Sequence, residues 1–454
     1  MKNTRETAFG IIYKVLEEGE YSHVVLRQAL LKEKDADKRD RAFVTRLSEG
    51  TIEHLLTIDY ILNQLSKTPV KKMKPVIRTV LRLSVYQLLY MDSVPDSAVC
   101  NEAVKIVKAK GLHGLSGFVN GILRNVARRK EQWAQESSYP DKDKMPAQHL
   151  SIRYSMPEWL CEYFIKEYGF EKAEKIVEGS LRNPKTTIRC NTNNISVIDL
   201  AERLRGQGIE TESGVYAKDA LYISGYDALE KIPEFTEGLF QVQDESSMLV
   251  AQLAGLKKND LVLDVCSAPG GKALHAANLL ESLGGGTVIS RDVSEKKTSL
   301  IKENANRLQA KNITIQVADA TKTDDIMIEK ADVVIADLPC SGIGIMAKKP
   351  EIRYRMTKEN QKELVKLQKE MLAVVHRYVK PGGILMYSTC TINKEEHEEQ
   401  VREICEKYGF VPALEEQLVP EALRRDIKEG AYIQLLPGIH ACDGFFIARL
   451  RKEK

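Results

Sequence analysis

Hydrophobic residues along the first 130 positions recur at steps of three and four. The stretches TAFGIIYKVLEEGEYSHVVLRQAL, RAFVTRLSEGTIEHLLTIDYILNQL and VIRTVLRLSVYQLLYM share this spacing, which is typical of amphipathic helices. Pro69 and Pro95 interrupt the spacing between stretches, and no strand-like alternation occurs. The pattern predicts an all-α bundle of about five to seven helices.

The pattern changes beyond this bundle. Residues 131–184 form a polar connector that is broken by proline and contains some helix. Two short β-like runs, KTTIRCNT and ALYISG, then flank the helical stretch VIDLAERLRGQG. This arrangement predicts a small α+β, RRM-like module, a type that RNA-binding proteins often contain and that many other proteins contain as well.

Strands and helices alternate from about residue 245 onward. Helical stretches separate the apolar runs LVLDVCS, GTVISRDV, ITIQVADA, DVVIADLP and GGILMYSTC, and GFFIARL supplies a last strand. Continuous apolar strands with helical crossovers predict a parallel sheet covered on both faces, as in Rossmann-like α/β folds. We therefore predict a multidomain chain with domains at residues 1–145, 146–240 and 241–454.

Composition is that of an ordinary globular protein. The chain has 454 residues, of which 43% are hydrophobic and 29% are charged. No uncharged apolar window reaches the ~18 residues that a membrane-spanning helix needs, and the N-terminus is charged where a signal peptide has an apolar core. None of the eight cysteines forms a CxxC pair, which argues against a metal or redox site. We expect a cytoplasmic protein with free thiols and no metal.

Basic residues are concentrated in the first third of the chain. Residues 1–150 contain 25 Lys and Arg against 18 Asp and Glu, although the net charge of the whole chain is only +3. This asymmetry favours a polyanionic partner such as a nucleic acid. A solvated helical surface explains the same modest excess.

A glycine-containing turn joins the first apolar strand of the C-terminal domain to a helix. Glycines at such a turn let a ligand approach the backbone, and the N-terminus of the helix offers free N–H groups. The turn matches neither a phosphate loop nor a GxGxxG fingerprint, and a purely structural turn is the alternative. The turn consists of Ala268, Pro269, Gly270, Gly271 and Lys272, and Cys266 and Ser267 directly precede it.

Acidic residues stand where consecutive strands of this domain end. Asp264, Asp292, Asp319 and Asp337 follow the first four strands, and ligands of open α/β sheets bind at the carboxyl ends of the strands. A row of carboxylates suits ribose hydroxyls and amine groups, and it would repel the phosphates of a nucleotide. The pattern therefore favours S-adenosylmethionine, while each acid taken alone is as well explained by a helix N-cap.

Two cysteines lie at neighbouring strand ends in the same domain. Cys340 follows the fourth strand and Cys390 follows the fifth, on the side of the sheet where the cofactor is expected. A single cysteine is usually a small buried hydrophobic residue. A thiolate beside a methyl donor, however, suits C5 methylation of a pyrimidine, because addition of sulfur to C6 makes C5 nucleophilic. The target base must then be extruded or single-stranded.

The motifs DVCSAPGGK, DLPCSG, STCT and DGFFIARL, with QVQDESSMLVA before the first strand, resemble those of RNA cytosine-C5 methyltransferases with two active-site cysteines. The resemblance implies that Cys390 is the nucleophile and that Cys340 assists product release as a base or acid. It places Cys266–Lys272, Asp292, Asp319 and Asp337 in the cofactor pocket, with Asp337 also at the target cytosine. DNA cytosine methyltransferases use the Pro-Cys cysteine as nucleophile, so the two cysteines favour RNA over DNA.

The N-terminal stretches RETAFGIIYKVLEEGEYSH, DRAFVTRLSEGTIEH and GFVNGILRNVAR are similar to the NusB RNA-binding helical fold. A NusB-like domain fused to this catalytic domain is typical of the Sun-type 16S rRNA cytosine-C5 methyltransferases of bacteria, and the resemblance covers nearly the whole chain. It implies methylation of a cytosine in 16S rRNA with S-adenosylmethionine. The same chemistry on tRNA is one alternative, and a NusB-like RNA-binding assembly factor is another.

Basic side chains in two segments are the candidate contacts with the RNA backbone. They are Arg124, Arg128, Arg129, Lys348, Lys349 and Arg353. The first three lie at the end of a helix, where cations also suit the helix dipole, and a solvated basic loop explains the others. We expect a monomer that binds 16S rRNA and neither DNA nor a membrane.

Overall fold

The computed structural model describes residues 4–32, 37–182 and 185–454. The chain divides into two compact units, Met1–Arg182 with Met346–Arg355, and Asn183–Ile345 with Met356–Lys454. Among the described residues, we find no helix with both the length and the apolar composition that crossing a bilayer requires.

The first unit is built from α-helices. Its helices before residue 182 are α1 Thr4–Glu17, α2 Ser22–Lys32, α3 Lys38–Glu53, α4 Leu55–Leu65, α5 Pro75–Tyr90, α6 Asp96–Ala109, α7 Ser116–Arg128, α8 Lys130–Trp133, α9 Pro146–Arg153, α10 Glu158–Tyr168 and α11 Phe170–Gly179.

Helix α5 lies at the centre of this bundle. It begins at Pro75, since the missing N–H of proline costs nothing in the first turn of a helix. Every residue from Thr79 to Leu88 is buried, including the polar ones. The guanidinium of Arg82 is compensated by Asp59 of α4, with N–O distances of 2.8 and 2.7 Å. A helix buried on all sides in this way is the core element of its unit.

A segment from the second half of the sequence completes the first unit. We call Met346–Arg355 the anchoring segment, and it ends in the helical turn α17 (Ile352–Arg355). Its Glu351 is 1% exposed and accepts hydrogen bonds from the N–H (3.2 Å) and hydroxyl (2.7 Å) of Ser22. The hydroxyl of Tyr354 lies 2.9 Å from that of Ser155. Buried polar contacts of this kind specify where the segment docks.

Arg353 of the anchoring segment corrects one prediction. Its side chain is fully buried, and its guanidinium donates to the carbonyl oxygens of Ser180 (2.5 Å) and Glu53 (3.3 Å). A guanidinium with no exposed surface has nothing to offer an RNA backbone, so the prediction of an RNA contact at Arg353 is wrong. The basic run around it concealed this, because burial of a long cation depends on partners that are distant in the sequence.

The second unit begins with a small antiparallel sheet. Its strands are β1 Thr186–Cys190, β2 Glu210–Ser213, β3 Ala220–Ser224 and β4 Phe240–Val242, in the spatial order β2-β3-β1-β4. Two helices, α12 (Val197–Gly206) and α13 (Pro233–Thr236), lie between the strands in the sequence. Leu200 and Leu204 of α12 are buried in one core cluster with Ile188 and Ile223 of the sheet. The predicted β-α-β pattern is therefore present, and β2 and β4 add a strand on each side.

A second, larger sheet forms the rest of this unit. Its strands are β5 Leu261–Asp264, β6 Thr287–Asp292, β7 Ile313–Val317, β8 Ala331–Asp337, β9 Val379–Thr389, β10 Phe410–Pro412, β11 Ile427–Lys428, β12 Tyr432–Leu435 and β13 Phe445–Lys452. The helices between and before them are α14 Glu245–Leu253, α15 Gly271–Ser282, α16 Glu295–Arg307, α18 Lys358–Val375 and α19 Glu398–Tyr408.

The order of the larger sheet is β11-β12-β13-β9-β8-β5-β6-β7, with β10 paired to β13. Strands β5 to β9 pair in parallel, and β13 joins β9 antiparallel. Two buried apolar clusters involve opposite faces of the strands, for example Val262 in one and Leu263 in the other. The predicted Rossmann-like parallel sheet with apolar strands is confirmed, and the alternation of Val262 and Leu263 shows why these strands are apolar throughout.

The predicted domain 146–240 does not fall within a single unit of the structure. Helices α9 to α11 belong to the first unit, because Leu56 N–H and the Thr57 hydroxyl of α4 donate to Ser155 Oγ (2.9 Å) and Ile152 O (2.5 Å). The connector half of the predicted domain 146–240 therefore packs with the helical bundle, and its sheet packs with the second unit.

Replacement of Arg353 by alanine should destabilise the first unit by ~2–4 kcal/mol, because it leaves buried carbonyl oxygens without donors and opens a cavity. Both tryptophans of the chain, Trp133 and Trp159, lie in this unit, so tryptophan fluorescence during urea unfolding reports on it. Lys348→Ala, at an exposed position of the same segment, is the control and should stay within about 0.5 kcal/mol of the parent chain. Equal midpoints for the Arg353 variant and the control would contradict the anchoring role.

Candidate active site

Five parallel strands present their carboxyl ends at one edge of the larger sheet. Asp264, Asp292 and Asp337 are the last residues of β5, β6 and β8. Asp319 follows the end of β7 by two residues, and Cys390 directly follows β9. The row of acids that the sequence indicates is therefore assembled along this edge, where open α/β sheets bind their ligands.

The glycine-containing loop leads from β5 into α15. Gly270 has φ +102°, in the left-handed region, and a Cβ there would lie 3.1 Å from Ile301 Cγ2. Only glycine meets both demands without strain. Asp292 reaches this loop from β6, since its Oδ2 accepts a hydrogen bond from Ala268 N–H at 3.0 Å. Its Oδ1 lies 3.1 Å from the ammonium of Lys297, which compensates its charge.

Asp264 is the most deeply buried acid of the row. It is 1% exposed, and neither carboxylate oxygen makes a hydrogen bond. Burial and the charge of Asp337 raise the pKa of Asp264 to about 7, although Lys272 and the smaller effects of the Ser267 side chain and the Cys266 backbone act in the opposite direction. A buried carboxyl that can ionise and has no partner is a group that a bound amine or hydroxyl would satisfy.

A cavity of about 260 Å³ opens beside Asp319. Val265, Ala318 and Ala320 give it apolar walls, and Arg291 closes one side. The Thr321 hydroxyl and N–H donate to Asp319 Oδ1 at 2.7 and 3.0 Å and lower the pKa of this carboxyl. An apolar slot with an ionised acid at its rim fits a flat heterocycle that carries an amine.

The two cysteines meet at the other end of the row. Cys340 Sγ and Cys390 Sγ lie 3.3 Å apart, and neither sulfur is in a disulfide. The hydrogen bond to Cys390, burial and the nearby charges of Glu396 and Asp337 raise the pKa of Cys340 well above its usual value. Cys340 therefore favours its protonated form, and either sulfur can be the donor in the contact between the two.

Lys272 and Asp337 form an ion pair between the glycine-containing loop and the cysteines. Lys272 Nζ lies 2.6 Å from Asp337 Oδ2, and the Ser388 hydroxyl donates to Asp337 Oδ1 at 2.9 Å. Burial lowers the pKa of the Lys272 ammonium, but the charges of Asp337 and Asp264 outweigh it and raise the pKa above its usual value. The ammonium also lies 5.2 Å from the centre of the Phe445 ring. Lys272 is therefore a fixed cation among carboxylates.

Two glycines bring the strand ends and the last hairpin together. A Cβ on Gly344 would lie 1.9 Å from the carbonyl oxygen of Gly444, which excludes any side chain there. Gly344 N–H donates to Cys390 O (3.1 Å), and Gly444 N–H donates to Gly344 O (2.9 Å). Hydrogen bonds thus connect the loop after Cys340 to Cys390 and to Gly444.

The remaining predicted RNA contacts lie in the first unit. Arg124, Arg128 and Arg129 are exposed at the end of α7, where Arg128 Nη2 donates to Asn125 Oδ1. In the anchoring segment Lys348 is exposed and Lys349 is half-buried. Their contact with RNA stays a prediction. Among the residues that the structure describes, no three His, Cys, Asp or Glu side chains are close enough together to hold a metal ion.

Two features of this edge were not predicted from the sequence. Asp264 stood in the row of acids that the sequence shows, and its burial without a partner is visible only in three dimensions. Ser388 lies two residues before Cys390 in the STC motif, and the alternation along β9 would have placed it on the same face as Cys390.

Three family models match the chain. "16S rRNA methyltransferase RsmB/F" matches residues 251–451, "NusB family" matches residues 2–128, and a ferredoxin-like domain of RsmF/B-like methyltransferases matches residues 156–228. The chain is 35% identical over 460 residues to the probable ribosomal RNA small subunit methyltransferase B of Bacillus subtilis (strain 168), with all of both chains covered.

Solved structures agree with this likeness. The structure named PH0851 has a TM-score of 0.80 and 26% identity, and covers 99% of this chain and 98% of its own. NSun6 from Pyrococcus horikoshii, solved with SFG, an analogue of S-adenosylmethionine, has a TM-score of 0.56 and 24% identity over 66% of this chain and 98% of its own. At that identity NSun6 supports the fold alone.

Replacement of Asp264 by asparagine should remove a pH dependence of stability. Asp264 is protonated in the folded chain up to a pKa of about 7 but ionised above its ordinary value of 3.8 in the unfolded chain, so folding binds a proton between these values. The stability that protonated Asp264 contributes is therefore fully present at low pH. This stability decreases by a few kcal/mol as pH rises towards 7. Calorimetry of the ligand-free chain should show that the stability of Asp264→Asn relative to the parent chain increases between pH 5 and pH 8.

The matched control is Asp325→Asn, at an exposed position of the same unit, which should show no such gain. If the difference in stability between the Asp264 variant and the parent stays constant from pH 5 to pH 8, the raised pKa of this carboxyl is contradicted.

Proposed function

This chain belongs to the ribosomal RNA small subunit methyltransferase B family, and on that premise we propose that it methylates C5 of a cytosine in 16S rRNA. It is an S-adenosylmethionine-dependent RNA methyltransferase. The observation that carries the cytosine-C5 chemistry is the pair of sulfurs 3.3 Å apart at the ends of β8 and β9. A thiol pair beside a methyl-donor site suits covalent activation of a pyrimidine, which other RNA methylations do not need.

The residues along the sheet edge fit S-adenosylmethionine. The unpartnered oxygens of Asp264 suit an amine or hydroxyl, the loop at Gly270 admits a ligand close to its backbone, and the slot beside Asp319 suits adenine. We assign Asp292 to the ribose hydroxyls, because it ends β6 and lies against the Cys266–Lys272 loop. S-adenosylmethionine supplies an electrophilic methyl group when it is bound. The acidic edge also attracts its sulfonium cation.

Cys390 is the nucleophile in this proposal. Its sulfur lies 3.3 Å from that of Cys340, whose thiol favours the protonated form, so a hydrogen bond from that thiol can stabilise the thiolate that addition to C6 requires. Addition turns C5 into an enamine-like carbon that can attack an electrophilic methyl group. Asp337 lies between the cofactor loop and the cysteines, and Lys272 and Ser388 fix both of its oxygens. We place the target cytosine against this carboxylate.

Cys340 serves the release step. The hydrogen bond and charge of Cys390 are among the causes that raise the pKa of Cys340, and both are lost once Cys390 is bonded to C6. The Cys340 thiol then ionises to solvent more readily, and its thiolate takes the proton from C5. The electrons of the C5–H bond restore the C5–C6 double bond, and the C6–S bond breaks with its electron pair returning to Cys390.

The RNA partner is proposed from the relatives and the helical unit. Ribosomal RNA of the small subunit is named in the curated relatives, and the NusB match covers residues 2–128. The exposed basic residues of α7 lie within that match and suit a phosphate backbone. Methylation of tRNA would use the same cysteines and is the alternative outcome of the substrate test.

We expect methyl transfer from labelled S-adenosylmethionine to unmodified 16S rRNA, with the label recovered as 5-methylcytosine. Transfer RNA and DNA serve as parallel substrates and should remain unlabelled, because the relatives act on ribosomal RNA. Label in tRNA alone would keep the chemistry and overturn the substrate. Failure to label any of the three, with S-adenosylmethionine shown to bind, would overturn the proposed activity on free RNA.

The two cysteines should fail in different ways. Cys390→Ala removes the nucleophile and should abolish transfer, a loss of ~10⁴-fold or more for a covalent catalyst. Cys340→Ala should allow addition but block release, and so accumulate a covalent RNA–protein adduct that survives denaturing gel electrophoresis. Cys405→Ala, in α19 and away from both strand ends, is the control and should stay active. Adduct formation by the Cys390 variant instead of the Cys340 variant would reverse the assignment.

A further inference from the structure

A buried carboxylate lies behind the two cysteine loops, and none of the residues assigned above accounts for it. Glu396 is fully buried in the turn between β9 and α19. Its Oε2 accepts hydrogen bonds from Ser341 N–H (2.9 Å) and from Gln368 Nε2 (2.9 Å). Its Oε1 accepts from the Ser341 hydroxyl (2.5 Å) and from Asn393 Nδ2 (3.2 Å). A carboxylate that is buried away from water is stable in its charged form only when several hydrogen bonds compensate for its lost hydration.

The hydrogen-bond network of Glu396 reaches both sides of Cys340. Ser341 follows it in the chain, and Pro339 precedes it. Gln368 of α18 connects the two sides, since its Nε2 also donates to Pro339 O at 2.9 Å. The residues before and after Cys340 are therefore held by one carboxylate and one amide.

The same network reaches the loop of Cys390. The Ser341 and Thr391 hydroxyls lie 2.6 Å apart, and because Ser341 gives its proton to Glu396, Thr391 donates to Ser341. Asn393, three residues after Cys390, is a direct donor to Glu396. The backbone carbonyl of Glu396 in turn accepts the Tyr387 hydroxyl at 2.6 Å. The side chain of Glu396 therefore accepts hydrogen bonds from both cysteine loops, from Ser341 in one and from Asn393 in the other.

We propose that Glu396 is the positioning residue of the cysteine pair, which sets the separation of the two sulfurs and keeps the proton on Cys340 until addition has occurred. The role rests on the proposed function, in which the two sulfurs act in sequence. Glu396 itself touches neither RNA nor cofactor in this assignment, and it acts through Ser341, Gln368 and Asn393.

The charges around Cys340 give this role an electrostatic side. The titratable groups are Cys390 and Tyr387 of the β9 end, Asp337 of β8 with its partner Lys272, and Glu396. The negative charge of Glu396 is one of the causes that raise the pKa of Cys340. Removal of that charge without removal of the side chain should therefore make the Cys340 thiol more acidic.

The decisive variant is Glu396→Gln, and Glu245→Gln is its matched control. Glu245 is equally buried, and it accepts from the N–H groups of Val215 (3.1 Å), Tyr216 (2.6 Å) and Ala217 (2.7 Å) and from the Tyr222 hydroxyl beside the small sheet. Loss of a buried carboxylate is common to both variants, whereas contact with the cysteine loops belongs to Glu396 alone.

The first readout is alkylation of Cys340 by iodoacetamide as a function of pH, quantified by peptide mass spectrometry. It is made in full-length chains that carry Cys390→Ser, so that coupling between the two thiols does not obscure the result. We expect the alkylation midpoint of Cys340 to move to lower pH by about one unit with Glu396→Gln and to stay in place with Glu245→Gln. This measurement needs neither RNA nor S-adenosylmethionine, so it is independent of the proposed substrate.

The second readout is steady-state methyl transfer with Cys390 intact. Glu396→Gln should lower kcat by about tenfold to a hundredfold through misplacement of the sulfurs, with KM for RNA and the affinity for S-adenosylmethionine unchanged. Glu396→Asp retains the charge but shortens the reach, so it should lose kcat while keeping the alkylation midpoint of the parent. Ser341→Ala keeps Glu396 and should also lower kcat at unchanged KM, which covers the case in which Glu396→Gln does not fold.

An unchanged Cys340 midpoint with Glu396→Gln, or the same displacement with Glu245→Gln, would overturn the proposal. So would kcat values within twofold of the parent for both Glu396→Gln and Ser341→Ala. If the parent chain itself transfers no methyl group to ribosomal RNA, the proposed function fails, and the alkylation midpoints still decide the role of Glu396.

Discussion

Parallel pairing of β5 with β6 and β8, and of β8 with β9, places the carboxyl ends of these strands along one edge of the sheet. Residues separated by more than a hundred positions in the chain, such as Asp264 and Cys390, become neighbours along this edge for that reason alone. Each strand delivers one functional group, and the helical crossovers keep the strands buried on both faces. The acids, the glycine loop and the cysteines are all consequences of this arrangement.

Electrostatics then differentiates groups that share an edge. Asp264 has no hydrogen-bond partner and titrates near neutrality, whereas the carboxylate of Asp337 is paired with Lys272 and Ser388. Burial, the contact with Cys390 and the negative charges around Cys340 favour the neutral form of its thiol. The low-dielectric surroundings of a strand end thus decide how readily the carboxyl of Asp264 and the thiol of Cys340 ionise.

Backbone contacts connect the site to the rest of the chain. Gly344 and Gly444 approach so closely that the loop after Cys340 cannot move away from β9 without breaking two hydrogen bonds. One residue beyond Ile345, the chain enters the anchoring segment, whose Glu351 and Arg353 are buried within the helical unit. Contacts within the second unit therefore hold the residues after Cys340 next to Cys390 and Gly444. A fixed loop suits a reaction in which two sulfurs act on adjacent carbons of one ring.

The sequence by itself determined the types and order of the elements, since helices and apolar strands each leave a periodicity that tertiary contacts only reinforce. It also determined the glycine loop, the strand-end acids and the cysteines, because a turn conformation and a strand end are local features. The shortest strands, β4, β10 and β11, have only two or three residues, below the length at which alternation is visible. Tertiary structure alone decided that Arg353 is an internal anchor, that Asp264 lacks a partner and that Glu396 binds both cysteine loops. These three properties depend on desolvation by residues distant in the sequence, and a charged side chain carries no local mark of whether water or protein will surround it.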